Sequence, residues 1–198
     1  MLPGLDIELA GLDVASGKDL NRAIAFCEER KAARIWLLGT RQRDVIALCA
    51  AVASSCELPL GVMLPLNREP AILVRELSTL DHLCRSGLAV ALCPEQGEEA
   101  RIEEYFEVLE TMFTQAESTV DIGGSHLRHA PNRPGPMTLG GPDLYLDLRA
   151  LAAVDPGLIP SQAVGLVELA TDGSPQLGGR ALVQIDLAQG IATLGSME

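Results

Sequence analysis

Short apolar runs alternate with longer helical patterns over residues 1–117, and this alternation predicts an α/β fold. The runs are apolar almost throughout, as in parallel strands that are covered on both faces. Four strand–helix units follow one another along the chain, and right-handed crossovers between them give a parallel sheet flanked by helices. We therefore interpret residues 1–117 as a β/α-repeat region.

The third unit shows the pattern most clearly. Residues 61–66 form an apolar run closed by Pro65, and the segment from residue 70 to residue 83 has apolar residues at helical spacing. Glu69 and Pro70 stand where a helix start favours an acid and a proline. The other predicted strands cover residues 5–14, 34–39 and 88–93, and the other predicted helices begin near residues 16–19, at Gln42 and at Glu98.

The pattern changes after residue 117. Residues 118–142 are rich in Gly, Pro, His and Asn, which predicts a loop with a small hairpin. Three later runs predict strands at 144–148, 164–170 and 181–187, with a short helix at 148–154. We interpret residues 118–198 as the β-rich completion of the same domain. Two arrangements of residues 143–198 fit this pattern, antiparallel strands that extend the sheet and a separate appendage.

Composition excludes several classes of function. The formal charge of −12 opposes binding to a phosphate backbone, and no basic cluster with interleaved aromatic residues offsets it. The five cysteines are odd in number and do not have zinc-ligand spacing, so we expect reduced thiols, several of them small core residues, and no metal site. We also expect a soluble cytoplasmic protein, because no signal peptide or membrane-spanning run is seen.

Three stretches resemble the bacterial luciferase-like flavin monooxygenases. Residues 61–66, with 69–83 and Ser86-Gly87, resemble the third strand–helix unit of that family. Residues 100–113 resemble the helix after its fourth strand, and residues 120–136 are similar to the hairpin and Pro-rich segment that follow. The resemblance implies a relative of the (β/α)₈ barrel, often dimeric, that uses reduced FMN and oxygen, or a deazaflavin, at the carboxyl ends of its strands.

The chain departs from that family in length and in two loops. A full barrel needs about 250 residues, so 198 residues predict a truncated or incomplete TIM-barrel-like fold. The polar loop that the family carries after strand two is replaced by residues 38–42, and its glycine-rich turn after strand four by residues 93–97. Sheet edges left uncovered by an incomplete barrel favour association, so we expect a homodimer or a heterodimer with a luciferase-like subunit.

The resemblance implies that cofactor-binding residues follow the predicted strands. Leu64, Pro65 and Cys93 end strands three and four, and Thr40 follows strand two, so these four are the predicted cofactor-binding residues. A buried structural thiol is the alternative interpretation of Cys93, because no Lys, Arg or His adjoins it. No catalytic residue is assigned. The histidines are interpreted as surface, interface or loop residues: His82, His126 and His129.

Three functions fit these observations. The first is an active flavin-dependent oxidoreductase or monooxygenase of shortened length, in which the flavin supplies the redox chemistry. The second is a relative with a degenerate active site that acts as a partner subunit. The third is a flavin-binding protein without turnover.

Overall fold

The computed structural model describes residues 6–10, 16–39, 44–95, 97–98, 101–102, 105, 108–109, 113, 141–147, 164–168 and 180–186. The predicted loop at 118–142 and the predicted helix at 148–154 lie almost wholly outside them.

Strands and helices alternate in the first half of the chain, as the apolar pattern predicts. Among the described residues, four parallel strands are separated by three helices, and three further strands follow. The elements are β1 (Asp6–Ala10), α1 (Gly17–Glu29), β2 (Arg34–Leu38), α2 (Val45–Ala53), β3 (Leu60–Pro65), α3 (Pro70–Leu83), β4 (Leu88–Cys93), β5 (Asp143–Asp147), β6 (Val164–Glu168) and β7 (Arg180–Asp186).

The described strands form a closed, wholly parallel barrel in sequence order, β1 to β7. β5 adds to β4 with Leu146 opposite Leu92, and β7 closes the ring on β1 with Ile185 opposite Leu9. The later strands are thus neither antiparallel nor an appendage. The expectation of uncovered sheet edges is wrong, because every described strand is paired on both sides.

Side-chain caps fix where the helices begin. Ser16 and Asp19 form a reciprocal capping box at α1, and Asp44 accepts a hydrogen bond from the Ile46 N–H at the start of α2. Helix α2 therefore begins at Val45 and not at Gln42, where the sequence predicts it. The predicted start of α3 is confirmed, since Glu69 caps the helix and Pro70 occupies its first turn.

The barrel separates two hydrophobic layers. The larger layer joins the outward side chains of the strands to the buried faces of the helices, and the smaller one contains no helical residue and so lies inside the barrel. Residues 102, 105, 109 and 113 are helical and buried, in agreement with the predicted helix at 98–114. Within the described residues, no helix is long and apolar enough to cross a membrane.

Candidate functional site at the carboxyl end of the barrel

The interior of the barrel is lined by every second residue of the strands, because side chains in a strand alternate between its two faces. In β1, Ile7 and Leu9 belong to the outer layer, which leaves Asp6 and Glu8 on the inner face, both buried. Aromatic rings, small residues and one methionine line much of the inner face of the next strands. They include Trp36, Gly61, Met63, Ala89, Ala91 and Tyr145.

Trp36 occupies the middle of the barrel. Its ring lies against Gly61, where an added Cβ would stand 2.3 Å from the ring, so only glycine leaves room for it. Tyr145 meets the indole edge to face with ring centroids 5.5 Å apart, a favourable aromatic geometry. Both rings are buried, and they fill the space between opposite sides of the barrel.

Polar contacts close the amino end of the barrel. The indole N–H of Trp36 donates to the buried Asp6 carboxylate at 2.9 Å. Arg34 donates to the Tyr145 hydroxyl at 3.3 Å, and its guanidinium lies within 6 Å of both aromatic ring centroids. A further contact of 3.5 Å joins Arg34 to Asp143. Because these groups bond to one another, we interpret the amino end of the barrel as a structural region.

The carboxyl end is more open and holds a thiol beside a carboxylate. Cys93 ends β4 and is half-buried, and Asp147 ends β5 and is only 5% exposed. The Cys93 Sγ lies 3.6 Å from Asp147 Oδ2, at hydrogen-bonding distance for sulfur. The Sγ also lies 3.9 Å from the Ala91 carbonyl oxygen. Active sites of barrel enzymes lie at this end, so this pair is the centre of the candidate site.

Two half-buried residues border the pair and complete what we call the mouth, defined by Leu38, Pro65, Cys93 and Asp147. Pro65 is the register partner of Cys93, so the two lie on the same face of the sheet. Leu38 ends β2 and packs against the inner cluster. An apolar border around one buried acceptor suits a planar ring with a hydrogen-bond donor at its edge.

The structure separates the predicted cofactor-binding residues. Pro65 and Cys93 lie together at the mouth, but Leu64 is 1% exposed and belongs to the outer layer against the helices. A ligand at the mouth is therefore reached by Cys93 and not by Leu64. Thr40 lies outside the described residues.

Asp147 was missed by the sequence analysis. The sequence does contain an indication of it, because Asp147 is an acidic residue near the end of the predicted strand at 144–148. Cys93 was selected for the same reason, its position at the end of a predicted strand. The contact between them joins residues 54 positions apart in the chain. Local spacing does not reveal such a pair.

The chain that follows β3 is held by a network beside the mouth. Arg68 pairs with Glu76 at 2.6 Å and with Asp44 at 2.9 Å, which joins the β3–α3 loop to the start of α2. The hydroxyl of Tyr105 donates to the Arg68 carbonyl oxygen. Because its guanidinium already bonds two carboxylates, Arg68 serves to position this loop.

The other cysteines differ from Cys93 in their surroundings. Cys27 and Cys49 are fully buried, as predicted for small core residues. Burial raises the pKa of the Cys27 thiol to about 12 and that of Cys56 to about 11, so both are protonated at neutral pH. Among the described residues, no group of three or more His, Cys, Asp or Glu side chains is arranged to hold a metal ion.

A groove of about 650 Å³ lies outside the barrel, where α2 and α3 end. The exposed His82 lines it, at the position where the sequence predicts a surface or interface histidine. Its lining carries Glu57, Arg85 and the half-buried Cys56. His126 and His129 lie outside the described residues.

Comparison with known proteins identifies structural neighbours only. No family model matches the sequence, and no curated protein matches it. The coenzyme F420-dependent tetrahydromethanopterin reductase from Methanopyrus kandleri superposes with a TM-score of 0.61 at 14% identity, over 74% of this chain and 50% of that one. The monooxygenase RslO1 from Streptomyces bottropensis gives 0.59 at 19% identity, over 74% and 53%.

A third neighbour is the oxygenating constituent of 3,6-diketocamphane monooxygenase from the CAM plasmid of Pseudomonas putida, a type II Baeyer-Villiger monooxygenase in complex with FMN. Its TM-score is 0.52 at 11% identity, over 74% of this chain and 51% of that one. These neighbours have the luciferase-like fold, so the predicted resemblance is confirmed at the level of the fold. The chain spans about half the length of each of them.

Proposed function

We propose that this chain is a shortened relative of the luciferase-like flavin-linked oxidoreductases and that it binds FMN or a deazaflavin at the mouth. The observation that carries the proposal is the contact of 3.6 Å between Cys93 and Asp147. It joins a half-buried thiol to a buried carboxylate at the end of a parallel barrel where such enzymes bind ligands. Two of the structural neighbours are named for F420 or contain FMN.

The residues of the mouth fit the ring of a flavin better than its phosphate. Leu38 and Pro65, on neighbouring strands, offer apolar contact to one face of an isoalloxazine, and Asp147 offers an acceptor to its edge. Arg68, the described cation on the loop after β3, already pairs with Asp44 and Glu76. Most of the binding affinity therefore comes from the flavin ring in this proposal. Thr40 remains a predicted contact for the part of the cofactor outside the ring.

If the chain is active, the flavin supplies the redox chemistry as an FMN- or deazaflavin-dependent monooxygenase or oxidoreductase. The chain's own part is to hold the ring at the mouth and to keep water from its inner side. Trp36 and Met63 are fully buried beneath the mouth, and they form an apolar floor against which the ring would pack.

A titration of the purified protein with FMN and with a deazaflavin, each oxidised and reduced and followed by fluorescence, tests the proposal. We expect saturable binding at one site per chain. Cys93→Phe fills the mouth and should abolish binding, whereas Cys56→Phe, a half-buried position in the outer groove, should leave it unchanged. Absence of binding at high micromolar flavin rejects the proposal, provided that circular dichroism shows folded protein.

A second candidate is a non-catalytic partner subunit or flavin-binding protein that associates with itself or with a full-length luciferase-like enzyme. One face of α3 favours it, since Ile72 is 57% exposed and Leu83 is 46% exposed. Eleven residues apart, they lie on the same side of the helix. Light scattering tests the association: a dimer dissociated by Ile72→Glu with Leu83→Glu supports contact through α3, and a monomer opposes self-association.

A further inference from the structure

The Asp147 carboxylate is built to receive a hydrogen-bond donor from the mouth. The residue is more than nine-tenths buried. A buried carboxylate without a hydrogen bond is destabilising, so each hydrogen bond that it accepts stabilises the protein. One donor that faces it is the Cys93 thiol, at 3.6 Å. Because S–H is a weak donor, an N–H group placed at the same oxygen would bind more strongly.

Cys93 has a second acceptor within reach. Its Sγ lies 3.9 Å from the carbonyl oxygen of Ala91, two residues earlier in the same strand. The thiol hydrogen can therefore turn to its own strand when another donor reaches Asp147. After this exchange of hydrogen-bond partners, both the thiol and the carboxylate are still hydrogen-bonded. The exchange therefore costs little free energy.

We propose that Asp147 recognises a ligand through an N–H donor and that Cys93 releases the carboxylate to it by turning toward Ala91. This inference rests on the proposed function and refines it, because flavin and deazaflavin rings both carry an imide N–H at one edge. The imide edge then faces Asp147, and one face of the ring packs against Leu38 and Pro65, which lie side by side on neighbouring strands. The ring stays at the mouth because Trp36 fills the barrel beneath it.

A matched pair of ligands tests the hydrogen bond directly. Lumiflavin and 3-methyllumiflavin differ only in the methyl group that replaces the imide hydrogen, and neither carries a phosphate. We expect the wild-type protein to bind lumiflavin about tenfold more tightly or better, which corresponds to about 1.4 kcal/mol. The ratio of the two dissociation constants should fall in Asp147→Asn and approach one in Asp147→Ala.

Asp143→Asn is the matched control. Asp143 begins the same strand and contacts Arg34 at the amino end of the barrel, so its replacement should leave the ratio unchanged. The ratio is measured within each protein, so a general loss of affinity or stability does not mimic the effect. Equal binding of the two flavins by the wild type overturns the inference, even though the proposed function stands.

Thiol alkylation tests the contact without any flavin. Iodoacetamide is added at pH 8, and peptide mass spectrometry gives a rate for each cysteine. Removing the charge of Asp147 favours the Cys93 thiolate, so Asp147→Asn should speed alkylation of Cys93 several-fold and leave that of Cys56 unchanged. Equal rates of Cys93 alkylation in the wild type and in Asp147→Asn would contradict the contact between Asp147 and the Cys93 thiol.

The two failures are distinguishable. If neither lumiflavin nor 3-methyllumiflavin binds, and FMN and the deazaflavin fail as well, the proposed function is rejected and the inference falls with it. If both lumiflavins bind with equal affinity, only the role of Asp147 is rejected.

Discussion

The two sides of the barrel wall are built from different chemistry. The outer side is aliphatic, with Leu, Ile and Val packed against helices, whereas the inner side combines aromatic rings, small residues and carboxylates. Aliphatic burial stabilises roughly in proportion to area and tolerates exchange of similar side chains. A hydrogen-bonded interior depends on particular partners. The outer layer therefore supplies most of the stability of the fold, and the inner face determines the positions of the interacting polar and aromatic groups.

A charge in the outer layer should give the largest effect. Leu64→Asp places a carboxylate at a position that is 1% exposed, and a buried charge without a partner costs about 3 kcal/mol or more. The urea unfolding midpoint should fall sharply. Ile72→Asp, on the exposed face of α3, is the control and should change little. Unchanged stability of Leu64→Asp would mean that its side chain does not lie between sheet and helices.

Gly61→Ala adds one methyl group to the inner side and should still destabilise the protein. The added methyl group meets the ring of Trp36 at 2.3 Å, so the indole or the strand must move. We expect a loss of about 1–3 kcal/mol, typical of overpacking. Trp36 is the single tryptophan of the chain, so its emission reports the movement.

Gly17→Ala is the matched control for that substitution. Gly17 begins α1, and an added Cβ there meets no atom within 4 Å. Alanine favours the helix over glycine, so stability should hold or rise slightly. Equal losses in the two variants would contradict the close packing of Trp36 on Gly61.

Trp36→Phe tests the polar part of the interior. The substitution keeps an aromatic ring but removes the N–H that donates to Asp6 at 2.9 Å. Loss of a buried hydrogen bond to a charged group costs about 1.5–3 kcal/mol. Chemical denaturation followed by circular dichroism measures it. If Asp6→Asn in the Trp36→Phe background costs as much as in the wild type, the two residues are not coupled.

The smallest effect should come from a helix end outside both layers. Hydrogen bonds from Ser16 hold the pKa of Asp19 below its ordinary value of 3.8. Because the folded pKa is the lower one, the contribution of Asp19 to stability is present above pH 3.8 and is lost as the pH falls below it. Ser16→Ala should cost about 1 kcal/mol near neutral pH.

The titration of Asp19 gives the matching readout. In Ser16→Ala its pKa, followed by NMR, should rise toward 3.8, and the fall of stability in acid should become shallower. An unchanged Asp19 pKa in that variant would exclude the capping box in solution.

Closure of the barrel changes how association should be interpreted. Uncovered sheet edges, which the chain length predicts, would make a partner necessary. The described strands leave no such edge, so association through α3 concerns the exposed Ile72 and Leu83 instead. Edge-to-edge pairing of strands is accordingly not the contact that the dimer test probes.

The helices and strands could be predicted from local patterns in the chain. Apolar runs and helical spacing identify β1 to β4, the three helices between them and the strands near residues 144, 164 and 181, because these periodicities are local. The start of α3 could also be predicted, because the capping Glu69 and Pro70 are adjacent in the sequence. The start of α2 was misplaced because its cap is Asp44, inside a run of polar residues that resembles a first turn.

How these elements meet depends on contacts between distant parts of the chain. A strand apolar on both faces does not reveal which face will line the barrel, so Leu64 and Cys93 look equivalent in sequence yet lie on opposite sides of the sheet. Pairing of β7 with β1, and of Asp147 with Cys93, joins distant parts of the chain. Such contacts follow from the closed ring, in which the twist and stagger of all strands together fix each neighbour.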